Sequence, residues 1–215
     1  MPFEKAIKDS IMSYCLRDLP NDSWYDSAFD FIKDSALKAR LISEFKNARF
    51  VYKIFEGLAA KDELLLAEVK MQVLMYASIY EAVITHLLWN KFKDHKEVVT
   101  LQTHKAYKPI CALANLTTIK YGDEQIYTCV YKDEKTPKNS IPFSDKVDCC
   151  VRIGFIDAVY AEDIKKIYAL RNLAHIETEA KKQIELEIEH AKLSYWRMQP
   201  FLDKIVNFLA STSDS

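Results

Sequence analysis

Leu64-Leu65-Leu66-Ala67-Glu68-Val69-Lys70-Met71-Gln72-Val73-Leu74-Met75-Tyr76-Ala77-Ser78-Ile79-Tyr80-Glu81-Ala82-Val83-Ile84-Thr85-His86-Leu87-Leu88-Trp89 is the stretch whose reading decides the fold. Leu65, Val69, Val73, Tyr76, Tyr80, Val83 and Leu87 recur at spacings of three and four, the period of one helix face. Leu66, Leu74, Ala77, Ile84 and Leu88 widen that stripe beyond what a helix lying on a surface carries. The pattern predicts one long helix from Asp62 to about Phe92, at the centre of a bundle. Glu68, Lys70, Glu81 and His86 interrupt the apolar run, which favours a buried helix over a membrane span.

The composition agrees with a helical reading. Only three of the 215 residues are Gly and six are Pro, too few breakers for a turn-rich β protein. The formal charge of -1 leaves no global basic field for nucleic acid, so any RNA contact is expected to be local or shared between subunits. Five Cys, two of them adjacent, make a poor disulfide framework, and no CxxC spacing suggests zinc. The N-terminus has no signal-peptide apolar core, and a soluble cytoplasmic protein without cofactor or metal is the expectation.

Working outward, residues 1–60 read as an N-terminal helical extension. Ile7, Ile11, Tyr14 and Cys15 share one side of a first helix. Ser23 or Asp22 caps a second stretch, whose apolar spacing continues through Phe29, Ile32, Leu37, Leu41 and Phe45 to Phe55. Residues 61–215 read as the bundle. Tyr107, Ile110, Cys111 and Ala114 predict a short helix over 104–115. Leu116–Tyr121 and Gln125–Tyr131, around Gly122-Asp123, predict a β-hairpin within an insertion at about 116–142. A helix from Ser144 or Asp145 ends at Gly154, and the next begins near Glu162. The last runs from Thr178 to Ala210, with Pro200 kinking or splitting it. The expected class is therefore mainly α, a helical bundle with a small β-hairpin insertion and an N-terminal helical extension.

The chemistry concentrates in Leu170-Arg171-Asn172-Leu173-Ala174-His175. Arg is scarce, six against twenty-four Lys, so an Arg set between two leucines needs a reason. Its planar fork grips a phosphate through two bonds, which Lys does not offer. His is the side chain whose unperturbed pKa lies nearest neutrality. Four residues apart on a helix, Arg171 and His175 lie about 40° apart around the axis. Asn172 can hold a phosphate oxygen or orient the imidazole. The plain reading of the same residues pairs Arg171 with Glu177, Glu179 or the acidic last helix. Lys91, Lys93 and Lys96, with His95, close the long helix and suit its negative end; they are also a candidate RNA-facing patch. His86 reads as a core or edge residue. His190, in Glu185-Leu186-Glu187-Ile188-Glu189-His190, reads as part of a solvated face, with a metal-binding face as the alternative.

The Leu-Arg-Asn…Ala-His segment resembles that of the HEPN superfamily (higher eukaryotes and prokaryotes nucleotide-binding domains). Gly154-Phe155-Ile156-Asp157 and Glu81 in Ser78-Ile79-Tyr80-Glu81-Ala82 add to the likeness, which spans roughly residues 64–210. Three residues separate Arg171 from His175, where the family's motif has four to six. The resemblance implies an α-helical bundle, often dimeric, and metal-independent cleavage of single-stranded RNA. Its active members include toxins of toxin–antitoxin pairs and phage-defence effectors. It implies catalytic roles for Arg171, Asn172 and His175, a homodimer joining two such motifs, and an antitoxin or other protein partner. The alternative is a silent HEPN-like module that binds a partner protein or a nucleotide.

Overall fold

The computed structural model describes residues 2–17, 19–113, 119–172 and 186–213. The long apolar run forms α4, Asp62–His86, and continues through a π-helical turn, Leu87–Lys91. Asp62 and Glu63 open it and His86 closes it, as the helix dipole favours. Most of that apolar surface is covered by neighbouring helices, while Leu64, Met71 and Leu74 stay exposed. Tyr76, Ala77, Tyr80, Val83, Ile84, Leu87 and Leu88 belong to the main core, while Val69 and Val73 join Leu170, Leu186 and Ala191 in a second cluster. Among the described residues, Asp62–Lys91 is the one helix long and apolar enough to cross a membrane, and here its apolar face is the core of the bundle.

The N-terminal residues contribute to this same core. Helices α1 (Lys5–Leu16), α2 (Asp22–Ala28) and α3 (Ser35–Gly57) precede α4. Leu41, Phe45 and Ala48 of α3 pack on α4, with Phe45 and Tyr76 meeting edge-on at 5.9 Å. Gln72 fixes the register by donating to the carbonyl of Ala48 at 2.7 Å, inside the core. The continuous apolar spacing from Phe29 to Phe55 suggested an unbroken helix. The chain instead breaks between α2 and α3, where Phe29 and Ile32 are buried and the Asp34 carboxylate caps the Leu37 amide at 3.0 Å. A local cap, not a loss of periodicity, sets that boundary.

On the other side of α4 lie α6 (Phe143–Ile153), α7 (Ala158–Asn172), α8 (Ile188–Trp196) and α9 (Met198–Ser213). Gly154 ends α6 at φ 104°, as expected. Helix α7 begins four residues earlier than Glu162, because the Asp157 carboxylate caps the Tyr160 amide at 3.0 Å. The final helical stretch is divided at Arg197. Pro200 is the third residue of α9, where its missing N–H costs no helical bond. Residues 178–185 of the expected helix lie outside those described. Tyr80 ties α8 to the core by donating to the carbonyl of Ser194 at 3.1 Å.

The insertion corrects the sequence reading. After α5 (Lys96–Gln102), Thr103–Pro109 forms strand β1, not a helix over 104–115. Strands β2 (Lys120–Tyr121) and β3 (Glu124–Gln125) form the small hairpin around Gly122-Asp123. Strand β4, Cys129–Lys135, pairs antiparallel with β1, from Thr103 opposite Lys135 to Pro109 opposite Cys129. Tyr107 and Tyr131 meet at 4.8 Å, Lys105 pairs with Asp133 at 2.9 Å, and Lys108 pairs with Glu134. These cross-strand pairs stabilise the ladder and have no counterpart on an isolated helix. All five cysteines are free, and burial pushes the Cys149 thiol up to about 11.

Substituting Gly154→Ala should destabilise the fold by about 1–2 kcal/mol, read as a lowered urea midpoint with unchanged slope. An added Cβ meets only an ordinary contact with Phe208 at 3.6 Å, so the penalty arises from the positive φ. A stability equal to wild type would show that the turn relaxes.

Candidate functional site

Arg171 and Asn172 are the last two described residues of α7. The Nη1 of Arg171 donates to Oε2 of Glu81 at 2.7 Å, and the Tyr168 hydroxyl donates to Oε1 at 3.2 Å. Tyr168 and Arg171 are three apart, so both reach across to the same carboxylate on α4. The guanidinium lies 5.1 Å from the Tyr168 ring centroid, and Phe143 stacks on the same ring at 4.0 Å and 27°. Arg171 and Glu81 keep 30% and 33% of their side-chain surface exposed, so the pair is half-buried and open to a ligand. The phenol of Tyr168 is raised above its ordinary value by burial first and by the Glu81 charge second.

Beside this cluster is a cleft of about 470 Å³, lined by Glu81, Asn139, Lys146, Lys165, Tyr168 and Asn172. Lys146 is 4% exposed, and its Nζ lies 5.5 Å from the Trp89 ring. Burial pushes its amine below the ordinary lysine range, against the pull of Glu81. Lys165 is held by Asp148 at 2.6 Å and Glu162 at 3.0 Å. The cleft thus combines an amide, a buried amine and the Glu81 carboxylate, whose guanidinium partner Arg171 stands next to the lining residues Tyr168 and Asn172. That set can bind a phosphate and stabilise charge building on it.

His175 lies outside the described residues, so the expected Arg171–His175 face rests on Arg171 and Asn172 here. Arg171 holds Glu81, 90 residues earlier, while Glu177 and Glu179, the partners expected from the sequence, lie outside the described residues. The three lysines proposed for RNA stand elsewhere. Lys91 follows Glu81 by ten residues, roughly 15 Å along the helix axis. Lys93 lies 3.9 Å from Asp94, and Lys96 opens α5. None of them lines the Arg171 cleft.

The two other notable histidines have local explanations. His190 sits in the first turn of α8, where its Nδ1 accepts from the Glu187 amide at 3.0 Å. Among the described residues no group of three His, Cys, Asp or Glu could hold a metal ion. His86 is half-buried and lines a wider cleft of about 1070 Å³ with Asp30, Asp34, Lys38, Asn90 and Lys91. Its Nδ1 lies 3.1 Å from Nδ2 of Asn90.

Lys146, Tyr168 and Phe143 escaped the sequence reading. Phe143, Lys146, Val147 and Cys150 share the buried face of α6 at three-four spacing, so a lysine inside an apolar stripe was the available signal. Tyr168 looked like one more core aromatic of α7. No family model, curated protein sequence or solved structure matches this chain.

Two outcomes are expected. A double-mutant cycle with Glu81→Gln and Arg171→Met should give a coupling of about 1 kcal/mol by urea unfolding, modest because the pair is partly exposed. Additive effects would mean that the contact carries no stability. The His86 imidazole is depressed below its ordinary 6.5, by burial first, with Asp34 opposing. The folded chain then binds fewer protons than the unfolded one as pH falls through that value, so His86 lowers stability on the acid side. The stability of wild type relative to His86→Gln should rise as pH increases from about 5 to 7.5. A difference independent of pH would remove this assignment.

Proposed function

We propose that this chain is a metal-independent endoribonuclease of HEPN type acting on single-stranded RNA. The observation that supports it most is the Glu81–Arg171–Tyr168 cluster at the edge of a cleft holding Lys146 and Asn172. It joins the two segments of the sequence that carry the family resemblance. A guanidinium has five N–H donors. The bond to Glu81 uses Nη1 and holds the fork in a fixed direction, which lowers the ordering needed when a phosphate arrives.

In this reading the RNA's 2′-hydroxyl attacks the adjacent phosphorus and the bond to the 5′-oxygen breaks. His175 takes the proton of the 2′-hydroxyl or supplies one to the leaving 5′-oxygen. Arg171 stabilises the charge that builds on the non-bridging oxygens, and Asn172 binds the phosphate or orients His175. Lys146 adds a second positive group in a water-poor wall of the cleft, where its effect on an anion is stronger than at the surface. The products are a 2′,3′-cyclic phosphate and a 5′-hydroxyl. A homodimer would bring two Arg171 residues around one cleft and concentrate positive potential that a net charge of -1 does not supply globally. A toxin–antitoxin or phage-defence setting, with a protein partner that restrains the cleavage, follows from the same resemblance.

The engagement of Arg171 with Glu81 also favours a second reading, a non-catalytic helical module in which the pair joins α4 to α7. The two separate in one experiment. Purified protein should cut single-stranded RNA in EDTA, leave DNA intact and produce cyclic phosphate ends. Arg171→Ala and His175→Ala should each reduce cutting by at least about 100-fold while the circular dichroism spectrum is retained. Absence of cutting across varied RNA, or equal cutting by the variants, would favour the silent module.

A further inference from the structure

Arg49 of α3 stands in a second polar cluster that the reading above does not use. Its guanidinium carbon lies 4.3 Å from the Tyr195 ring centroid and 5.7 Å from that of Tyr52. Its Nε is buried and has no hydrogen-bond partner, and no carboxylate among the described residues pairs with it. The other half-exposed arginines behave differently. Arg152, Arg171 and Arg197 hold Glu97, Glu81 and Asp163 at 2.8, 2.7 and 2.6 Å.

The surroundings of Arg49 are also short of acceptors. Tyr76 is fully buried, and its hydroxyl has no partner. The hydroxyl of Tyr25, 1% exposed, has none either. The charge of Arg49 reaches both phenols, and Tyr195 is close to both as well. A cleft of about 290 Å³ opens onto this cluster between α3, α4 and α8. Arg49, Tyr52, Tyr76 and Tyr195 line it, with Lys53, Lys192 and Trp196 at its sides. Trp196 is 67% exposed. Glu56 also lines the cleft, but its oxygens already accept from Tyr14, Tyr52 and Lys53.

We propose that this cleft binds a phosphate group, gripped by the Arg49 guanidinium and the Tyr76 hydroxyl. Buried donors left without acceptors are costly, and native folds satisfy nearly all of them. A water could accept a hydrogen bond from the Tyr76 hydroxyl, but being neutral it does not balance the charge of the half-buried Arg49 guanidinium stacked on Tyr195. A tetrahedral oxyanion offers enough oxygens to accept from the planar fork and the phenol together. Lys53 and Lys192 extend the positive potential toward the cleft. Free phosphate and the phosphate of a nucleotide share this chemistry, and the exposed indole of Trp196 and the ring of Tyr52 offer a base a surface to stack on.

The test is titration calorimetry of the full chain with inorganic phosphate, AMP and adenosine at fixed ionic strength. Phosphate and AMP should bind, and adenosine alone should not. Arg49→Gln should weaken binding by at least about tenfold, with Arg49→Lys retaining part of it. Tyr76→Phe, which removes one oxygen from a ring that stays packed, should weaken it by about fivefold. Quenching of Trp196 fluorescence by AMP, with tighter binding than phosphate, assigns the site to a nucleotide. Equal affinities without quenching assign it to free phosphate. No binding by wild type, or binding untouched by Tyr76→Phe and Arg49→Lys, overturns the proposal. None of these readouts uses RNA cleavage, so failure of the nuclease reading leaves them independent.

Discussion

A central helix keeps polar side chains on its buried faces at low cost only where other elements complete them, and α4 imposes that condition on its neighbours. Gln72 takes the carbonyl of Ala48 on α3. Tyr80 takes the carbonyl of Ser194 on α8. Glu81 takes Arg171 and Tyr168 of α7. His86, at the end of the helix, contacts Asn90 across the π-helical turn. The bonds of Gln72, Tyr80 and Glu81 each fix the height of one neighbouring helix against the central one, while the apolar contacts between them fix the distance. Tyr76 belongs to the same series but has no acceptor, and the cleft that opens onto it is where a ligand is inferred.

The arginines extend this logic. With few of them in the chain, four stand at half-buried contacts, three against carboxylates and Arg49 against tyrosine rings. The more weakly hydrated, planar guanidinium suits such positions, whereas the many lysines pair at the surface or extend into water. Lys146 departs from that division. It is nearly enclosed and faces Trp89, and a charge so placed lowers stability unless an anion draws near. Its position beside the Glu81–Arg171 pair is the reason to connect it with a phosphate.

Much of the architecture was legible locally. The three-four spacing of α4 is dense enough that no other period competes with it, and Gly154 stops α6 because only a residue without Cβ takes φ 104° at low cost. The segment 103–109 was misread for an equally physical reason. Tyr107, Ile110 and Cys111 match a helical period over a window too short to decide, and what selects the strand is Cys129–Lys135, its paired positions 20 to 32 residues away. The break between α2 and α3 was hidden because Phe29 and Ile32 stay apolar and buried while the backbone leaves the helix. At the candidate site, Arg171 and Glu81 each stand in a segment that carries the family likeness, but nothing in their spacing joins them.

By itself the sequence determined the helical class, the central helix and the shortage of arginine that singles out Arg171. These follow from local periodicity, composition and backbone preference, which act over a few residues. Tertiary structure alone decided which carboxylate holds Arg171, that Lys146 lines the cleft beside that pair and the proposed RNA-facing lysines do not, and that Arg49 Nε and the Tyr76 hydroxyl meet at one cleft without an acceptor of their own. Those are pairings between residues tens of positions apart, set by how helix faces meet when each must bury its apolar surface and satisfy its polar groups at once.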